Sequence, residues 1–187
     1  MKKVFMIHGF RGEPNGSWRP WLMGELAKHD IYACALPMPT PENPVKSEWI
    51  QTITEAVVSP SEEIFLVGHS LGVPAILRYL ESLDNDSKIG GVLLISGPLF
   101  EIKKDGYEQV NSFINTTFDF SHIKNVCNNF IVIHGDNDKN VPFSDAEQLV
   151  KELSCNLISI LNGGHLRGGE GWYQLPQALE SLLRMMK

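Results

Sequence analysis

Residues 64–72, Ile-Phe-Leu-Val-Gly-His-Ser-Leu-Gly, constrain this chain more than any other stretch. Four consecutive apolar residues, Ile64 to Val67, predict a strand buried on both faces of a parallel sheet. Gly68-His69-Ser70-Leu71-Gly72 then fits G-x-S-x-G. From Pro74 to Leu83 the apolar residues Ala75, Leu77, Leu80 and Leu83 recur at helical spacing among polar ones. Strand, sharp turn and helix in that order are the setting that holds a serine in a strained backbone conformation. Bulky neighbours would clash in such a turn, and Gly68 and Gly72 supply the clearance. Ser70 is thereby lifted above the sheet edge with a helix N-terminus beneath it. A tight turn with a merely capping serine is the alternative, and partners elsewhere in the chain decide between the two.

The rest of the chain alternates in the same way. Apolar runs at 4–7, 31–36, 91–95, 130–133 and 157–161 predict strands, and 18–28, 46–58, 143–153 and 175–186 have helical spacing. Alternation predicts an α/β fold: one domain over 1–187, with about six parallel strands and helices on both faces. Trp18 and Trp21 are read as packing anchors of the first helix. Residues 99–125 are the least regular part, expected as one or two short helices over the active edge. Their aromatic residues Phe100, Tyr107, Phe113, Phe118 and Phe120 either line a pocket or anchor the segment.

A serine hydroxyl needs a base within hydrogen-bond reach, and the base needs an orienting carboxylate. The ends of predicted strands supply both in the chain order Ser70, Asp138, His165. His165 sits in the Gly-rich loop Gly163-Gly164-His165 after the last strand. His8, His69 and His134 each adjoin a strand end and are read as polar scaffolding. His29 falls at a helix end and His122 in the irregular segment. Asp138, three residues after Gly135 and shortly before Val141-Pro142, is preferred to Asp136, which is assigned to bracing the turn. Asp145 and Glu147 are read as helix-surface residues. The backbone N–H of Leu71, just after the serine, and that of Phe10, in the loop after the first strand, are the candidate oxyanion donors. Arg11 and Arg167 are candidates for an anionic part of a substrate, with solvated surface arginines as the plainer alternative.

Composition narrows the partners. A net charge of −6 without a Lys/Arg cluster argues against a nucleic-acid surface. No apolar run reaches the length of a membrane span, and Met1-Lys2-Lys3 followed by Val4–Ile7 is too short for a signal peptide. Cys34, Cys127 and Cys155 are scattered and odd in number, which fits neither a zinc pattern nor a disulfide framework. A reducing, cytoplasmic location is the expectation.

With these residues placed, the chain resembles the α/β hydrolases. More narrowly, it is similar to the small, capless serine hydrolases grouped with retinoblastoma-binding protein nine and the bacterial YdeN proteins. The matching pieces are His8-Gly9-Phe10, Trp18 with Pro20-Trp21-Leu22, Gly68-His69-Ser70-Leu71-Gly72, Gly135, Asp138, Val141-Pro142, Gly164-His165 and Gly171-Trp172. The resemblance implies a triad of Ser70, Asp138 and His165, hydrolysis of small carboxylic esters through an acyl-enzyme, and no metal or other cofactor. Thioesters and amides are alternative substrates of the same chemistry, and a protein-binding module on a hydrolase scaffold is the alternative outside catalysis. The retinoblastoma-binding Leu-x-Cys-x-Glu motif is missing: Leu153-Ser154-Cys155-Asn156-Leu157 ends in leucine, so that partner does not carry over. The expected partner is a small-molecule acyl substrate, with no nucleic acid and no membrane.

Overall fold

The computed structural model describes residues 1–187. Six strands, β1 (Lys3–Ile7), β2 (Tyr32–Ala35), β3 (Ile64–His69), β4 (Gly91–Ile95), β5 (Phe130–Gly135) and β6 (Asn156–Ile160), form one sheet in the order β2-β1-β3-β4-β5-β6. Every pairing is parallel, so all the connections cross over and all the strand C-termini share one edge. Seven helices cover the sheet: α1 (Arg19–Ala27), α2 (Lys46–Val57), α3 (Gly72–Glu81), α4 (Glu108–Asn111), α5 (Phe120–Val126), α6 (Phe143–Leu153) and α7 (Pro176–Met185).

Because side chains alternate along a strand, each strand feeds two cores. Phe5, Ile7, Leu66, Leu94 and Val132 face α2, α3, α5 and α6 on one side. Val4, Met6, Val67, Leu93, Ile95 and Ile133 face α1 and α7 on the other. Burial on both faces explains why β3, β4 and β5 read as unbroken apolar runs. The edge strands β2 and β6 are only half buried.

Three local details depart from expectation. β3 runs on through Gly68 and His69, which pair with Leu94 and Ile95, so the motif's first two residues belong to the strand. Helix α3 begins at Gly72 and is buried from Gly72 to Leu80, with no polar face. It lies between the sheet and helices α2 and α5, and its Arg78 is spent inside the protein. The Arg78 guanidinium donates to the carbonyls of Phe113 (2.8 Å), Thr116 and Thr117, and pairs with Glu81 at 2.7 Å. The Phe118 ring lies against it, 3.8 Å from Cζ. Asp145 is not a surface residue: it is buried in the first turn of α6 and accepts the N–H groups of Leu99 (2.8 Å) and Phe100 (3.2 Å). The 99–125 segment, which contains α4 and most of α5, is therefore tied to the body at its start and through its middle. No helix is long and apolar enough to cross a membrane.

Candidate active site

Ser70 sits between β3 and α3 with φ +54°, left-handed for a residue that carries a Cβ. Such a conformation costs about 1–2 kcal/mol and persists only where its surroundings dictate it. Here Ser70 N–H donates to Ile95 O (2.9 Å), and Val73 N–H donates to Ser70 O (2.9 Å). The flanking glycines act through clearance. A Cβ at Gly68 would stand 2.7 Å from Gly72 O, and one at Gly72 would stand 2.3 Å from Ile7 O. Helix α3 can thus start directly against the ends of β1 and β3, with the serine above them.

The carboxylate follows β5 and the imidazole follows β6, at the same edge of the sheet. His165 Nδ1–H donates to Asp138 Oδ2 at 2.7 Å, and the carboxylate is wholly buried. Its other oxygen accepts from the N–H groups of Asn140 (2.8 Å) and Val141 (3.1 Å), which hold it to one orientation. Asp136 braces the turn as expected: Oδ1 accepts from Asn162 N–H at 2.7 Å. Between them, Asn137 Oδ1 accepts from Gly164 N–H at 2.7 Å. Three successive side chains after β5 therefore suspend the loop that carries His165. That loop's remaining polar groups are also engaged. His165 N–H donates to Glu170 (2.8 Å), and His165 O accepts from His69 Nε2–H (2.9 Å). Gly163 O accepts from Trp172 Nε1–H (2.7 Å), and Leu166 O accepts from Trp18 Nε1–H (3.0 Å). Trp18 is the anchor the sequence suggested, whereas Trp21 is half exposed and lines the cleft.

The scaffolding histidines are neutral. Burial pushes His8 and His134 below the ordinary histidine range. It pushes His69 well below, helped by the neighbouring His165 and Arg19 side chains. His8 Nε2 accepts from Met38 N–H (3.3 Å), so its proton is on Nδ1, which donates to Gly9 O (2.9 Å). Gly9 O also accepts from Gly12 N–H (3.0 Å). With that carbonyl turned inward, the N–H of the same peptide, belonging to Phe10, is turned the other way. Neither Phe10 N–H nor Leu71 N–H has an acceptor within the protein. Ser70 Oγ makes no hydrogen bond to His165, whose side chain bonds to Asp138; such links are often long in the absence of substrate.

Ser70, His165 and Phe10 line one cleft of about 880 Å³ at the C-terminal edge of the sheet. Of the irregular segment, only Ile102 and Tyr107 reach it. Phe113 packs on Trp49 (5.7 Å between ring centres), and Phe100, Phe118 and Phe120 border a separate hollow. Arg11 and Arg167 line the cleft as exposed side chains beside Glu42 (3.5 Å) and Glu170 (3.4 Å).

Residues 4–184 match the family model described as serine hydrolase. The chain belongs to the serine hydrolase family. It is 34% identical over 175 residues to YdeN of Bacillus subtilis (strain 168), a protein named as a hydrolase, covering 94% of this chain and 91% of that one. The crystal structure of the B. subtilis ydeN product superposes with a TM-score of 0.94 at 32% identity, over 100% of this chain and 99% of that one. Serine hydrolase RBBP9 of Rattus norvegicus is 23% identical over 167 residues, covering 89% of this chain and 86% of that one. A structure described as an α/β-superfamily hydrolase, from Xanthomonas campestris pv. campestris, shares the fold at 15% identity. Its TM-score is 0.69, over 98% of this chain and 99% of that one.

Sequence reasoning missed several residues of this serine hydrolase that shape the site. Asn137 and Glu170 hold the histidine loop, and nothing in their local pattern distinguishes them from ordinary loop residues. Arg19, assigned no role from the sequence, is buried beside the cleft. No group of three or more His, Cys, Asp or Glu side chains is arranged to hold a metal ion. The three cysteines are unpaired, and burial raises the thiols of Cys127 and Cys155 to about 12 and about 11, where they are inert as nucleophiles.

Proposed function

We propose that this serine hydrolase cleaves small carboxylic esters in the cytoplasm through an acyl-enzyme on Ser70, with His165 as base and Asp138 as its orienting carboxylate. The observation that carries the reading is the 2.7 Å bond from His165 Nδ1 to the buried Asp138 carboxylate, at the same sheet edge as a serine in the left-handed conformation. With Nδ1–H committed to Asp138, Nε2 is the basic nitrogen left to face the cleft. It takes the proton of Ser70 Oγ as that oxygen attacks the acyl carbonyl. The oxyanion then accepts from the unpartnered N–H groups of Leu71 and Phe10, each donor worth about 3 kcal/mol in a site of this kind. His165 returns its proton to the departing alcohol. It next deprotonates a water, which attacks the acyl-enzyme and releases the acid. An open cleft with no cap domain over it favours short acyl chains.

The test is intact-protein mass after exposure to a small fluorophosphonate, beside hydrolysis of short-chain esters. The wild type is expected to gain one adduct. Ser70→Ala is expected to gain none and to lose turnover by roughly 10⁴-fold or more. Ester turnover that survives in Ser70→Ala overturns the reading.

A further inference from the structure

Arg19 is the one arginine of the cleft that makes no ion pair, although the Glu13 carboxylate lies near enough to favour its charged form. Arg11 and Arg167 each sit beside a glutamate, as does the buried Arg78. Arg19 pairs with no carboxylate, although it is only 3% exposed. Its Nε donates to Pro14 O (3.2 Å) and its Nη2 to Glu13 O (2.8 Å). Nη1 is buried with no partner at all. A buried donor without an acceptor is costly, and more so on a charged group. The position compounds the cost. Arg19 is the first residue of α1, whose first turn holds no acidic residue, so a cation stands at the positive end of the helix dipole. Burial lowers the guanidinium to about 10, which still leaves it charged at neutral pH. It lines the cleft with Ser70, His69 and His165, and its field reaches His69 and His8.

All of these costs are relieved by an anion. We propose that Arg19 binds a carboxylate carried by the substrate, so that the preferred ester is an anionic one: a half-ester of a dicarboxylic acid, or an ester of a hydroxy acid. The Nη1–Nη2 edge offers the planar fork that a carboxylate accepts in bidentate fashion. The 13–16 loop, whose carbonyls fix Nε and Nη2, keeps that edge from turning away. Arg11 and Arg167 at the same cleft are each offset by a glutamate, so the attraction for an anion falls to Arg19.

This inference rests on the ester-hydrolase reading, and its test separates the two. Two matched pairs are compared: monoethyl succinate with ethyl succinamate, which places the charge on the acyl side, and carboxymethyl butyrate with carbamoylmethyl butyrate, which places it on the alcohol side. The readout is the ratio of kcat/KM for the anionic ester over its neutral amide twin, an internal control against partial loss of fold. The wild type is expected to favour the anion at least tenfold in one pair, which identifies the side. In Arg19→Gln that ratio is expected to fall at least tenfold, and in Arg19→Lys to fall by less. Binding is read independently of turnover from the rise in Tm produced by free succinate, in wild-type, Ser70→Ala and Arg19→Gln proteins. A rise in the first two that is absent in the third supports the site even if no ester is hydrolysed, an outcome that would sink the hydrolase reading alone. An anion preference equally strong in Arg19→Gln, no preference in either pair, or an equal succinate shift in all three proteins overturns the proposal.

Discussion

Replacing Gly135 by alanine should damage the site without touching any residue assigned to chemistry. Gly135 ends β5, and its Cα lies directly beneath the histidine loop. A Cβ there would stand 2.2 Å from Gly164 O and 2.7 Å from Gly164 N, where real Cβ contacts essentially never fall below 3.0 Å. The obstacle is backbone on both sides, so no rotamer relieves it. The loop or the strand must retreat by at least about 0.8 Å. The loop cannot retreat freely. Gly164 N–H is bonded to Asn137, Gly163 O to Trp172 and His165 to Asp138, each at 2.7 Å. Overpacking of this kind costs about 1–3 kcal/mol, which for a chain of this size lowers Tm by roughly 2–12 °C. A displacement approaching 1 Å at the base costs about 10²-fold in rate. The assay is kcat on a short-chain ester together with a thermal melt, both against Gly24→Ala. Gly24 lies within α1, and an added methyl there meets nothing within 4 Å, so that variant should keep its activity and gain about 0.5–1 kcal/mol. A Gly135→Ala protein with kcat within threefold of wild type and an unchanged Tm would refute the reasoning.

Stability should fall as pH drops from 7 to 5.5. His8, His69 and His134 have folded-state values depressed by burial, so below the ordinary histidine value of about 6.5 the unfolded chain binds more protons and is favoured. Each unit of depression contributes about 1.4 kcal/mol, present above the unfolded value and lost as pH falls toward the folded one. Urea melts should show this, with a shallower loss in His134→Asn; an equal slope in the two proteins would refute it. Arg78→Met should leave the carbonyls of Phe113, Thr116 and Thr117 without their donor and cost roughly 3 kcal/mol. Limited proteolysis should then cut first within 99–125, and cleavage no faster than in the wild type would argue against the brace.

The elements legible in the sequence were those whose environment is uniform. β3, β4 and β5 are buried throughout and carry apolar runs because both faces are covered, and the turn at 68–72 announces itself through glycines that no larger residue could replace. Ser70, Asp138 and His165 share one edge because a parallel sheet delivers the C-terminal ends of β3, β5 and β6 there. What stayed hidden depends on distant segments. Asp145 looks like any first-turn aspartate until Leu99 and Phe100 bring it their N–H groups. Helix α3 carries Arg78, whose partners in the 113–118 stretch lie too far along the chain for local spacing to show. Arg19 follows a tryptophan in an ordinary helix start, and its burial is imposed by the folded 13–16 loop. Periodicity describes one element at a time and carries no information about what lies over it.

The suspension of the His165 loop has a consequence for the life of the chain. The backbone around the imidazole is held by side chains at 18, 69, 137, 170 and 172, which span almost the whole sequence. A ribosome-bound chain that has released the serine turn still lacks β6 and everything after it. A partly unfolded chain that has shed its last quarter is in the same condition. On the proposed mechanism neither has a base, so the nucleophile stays idle until the final segment docks. Hydrolysis therefore reports completion: in a refolding experiment it should return with the last phase of recovery, and no truncated fragment should leak it.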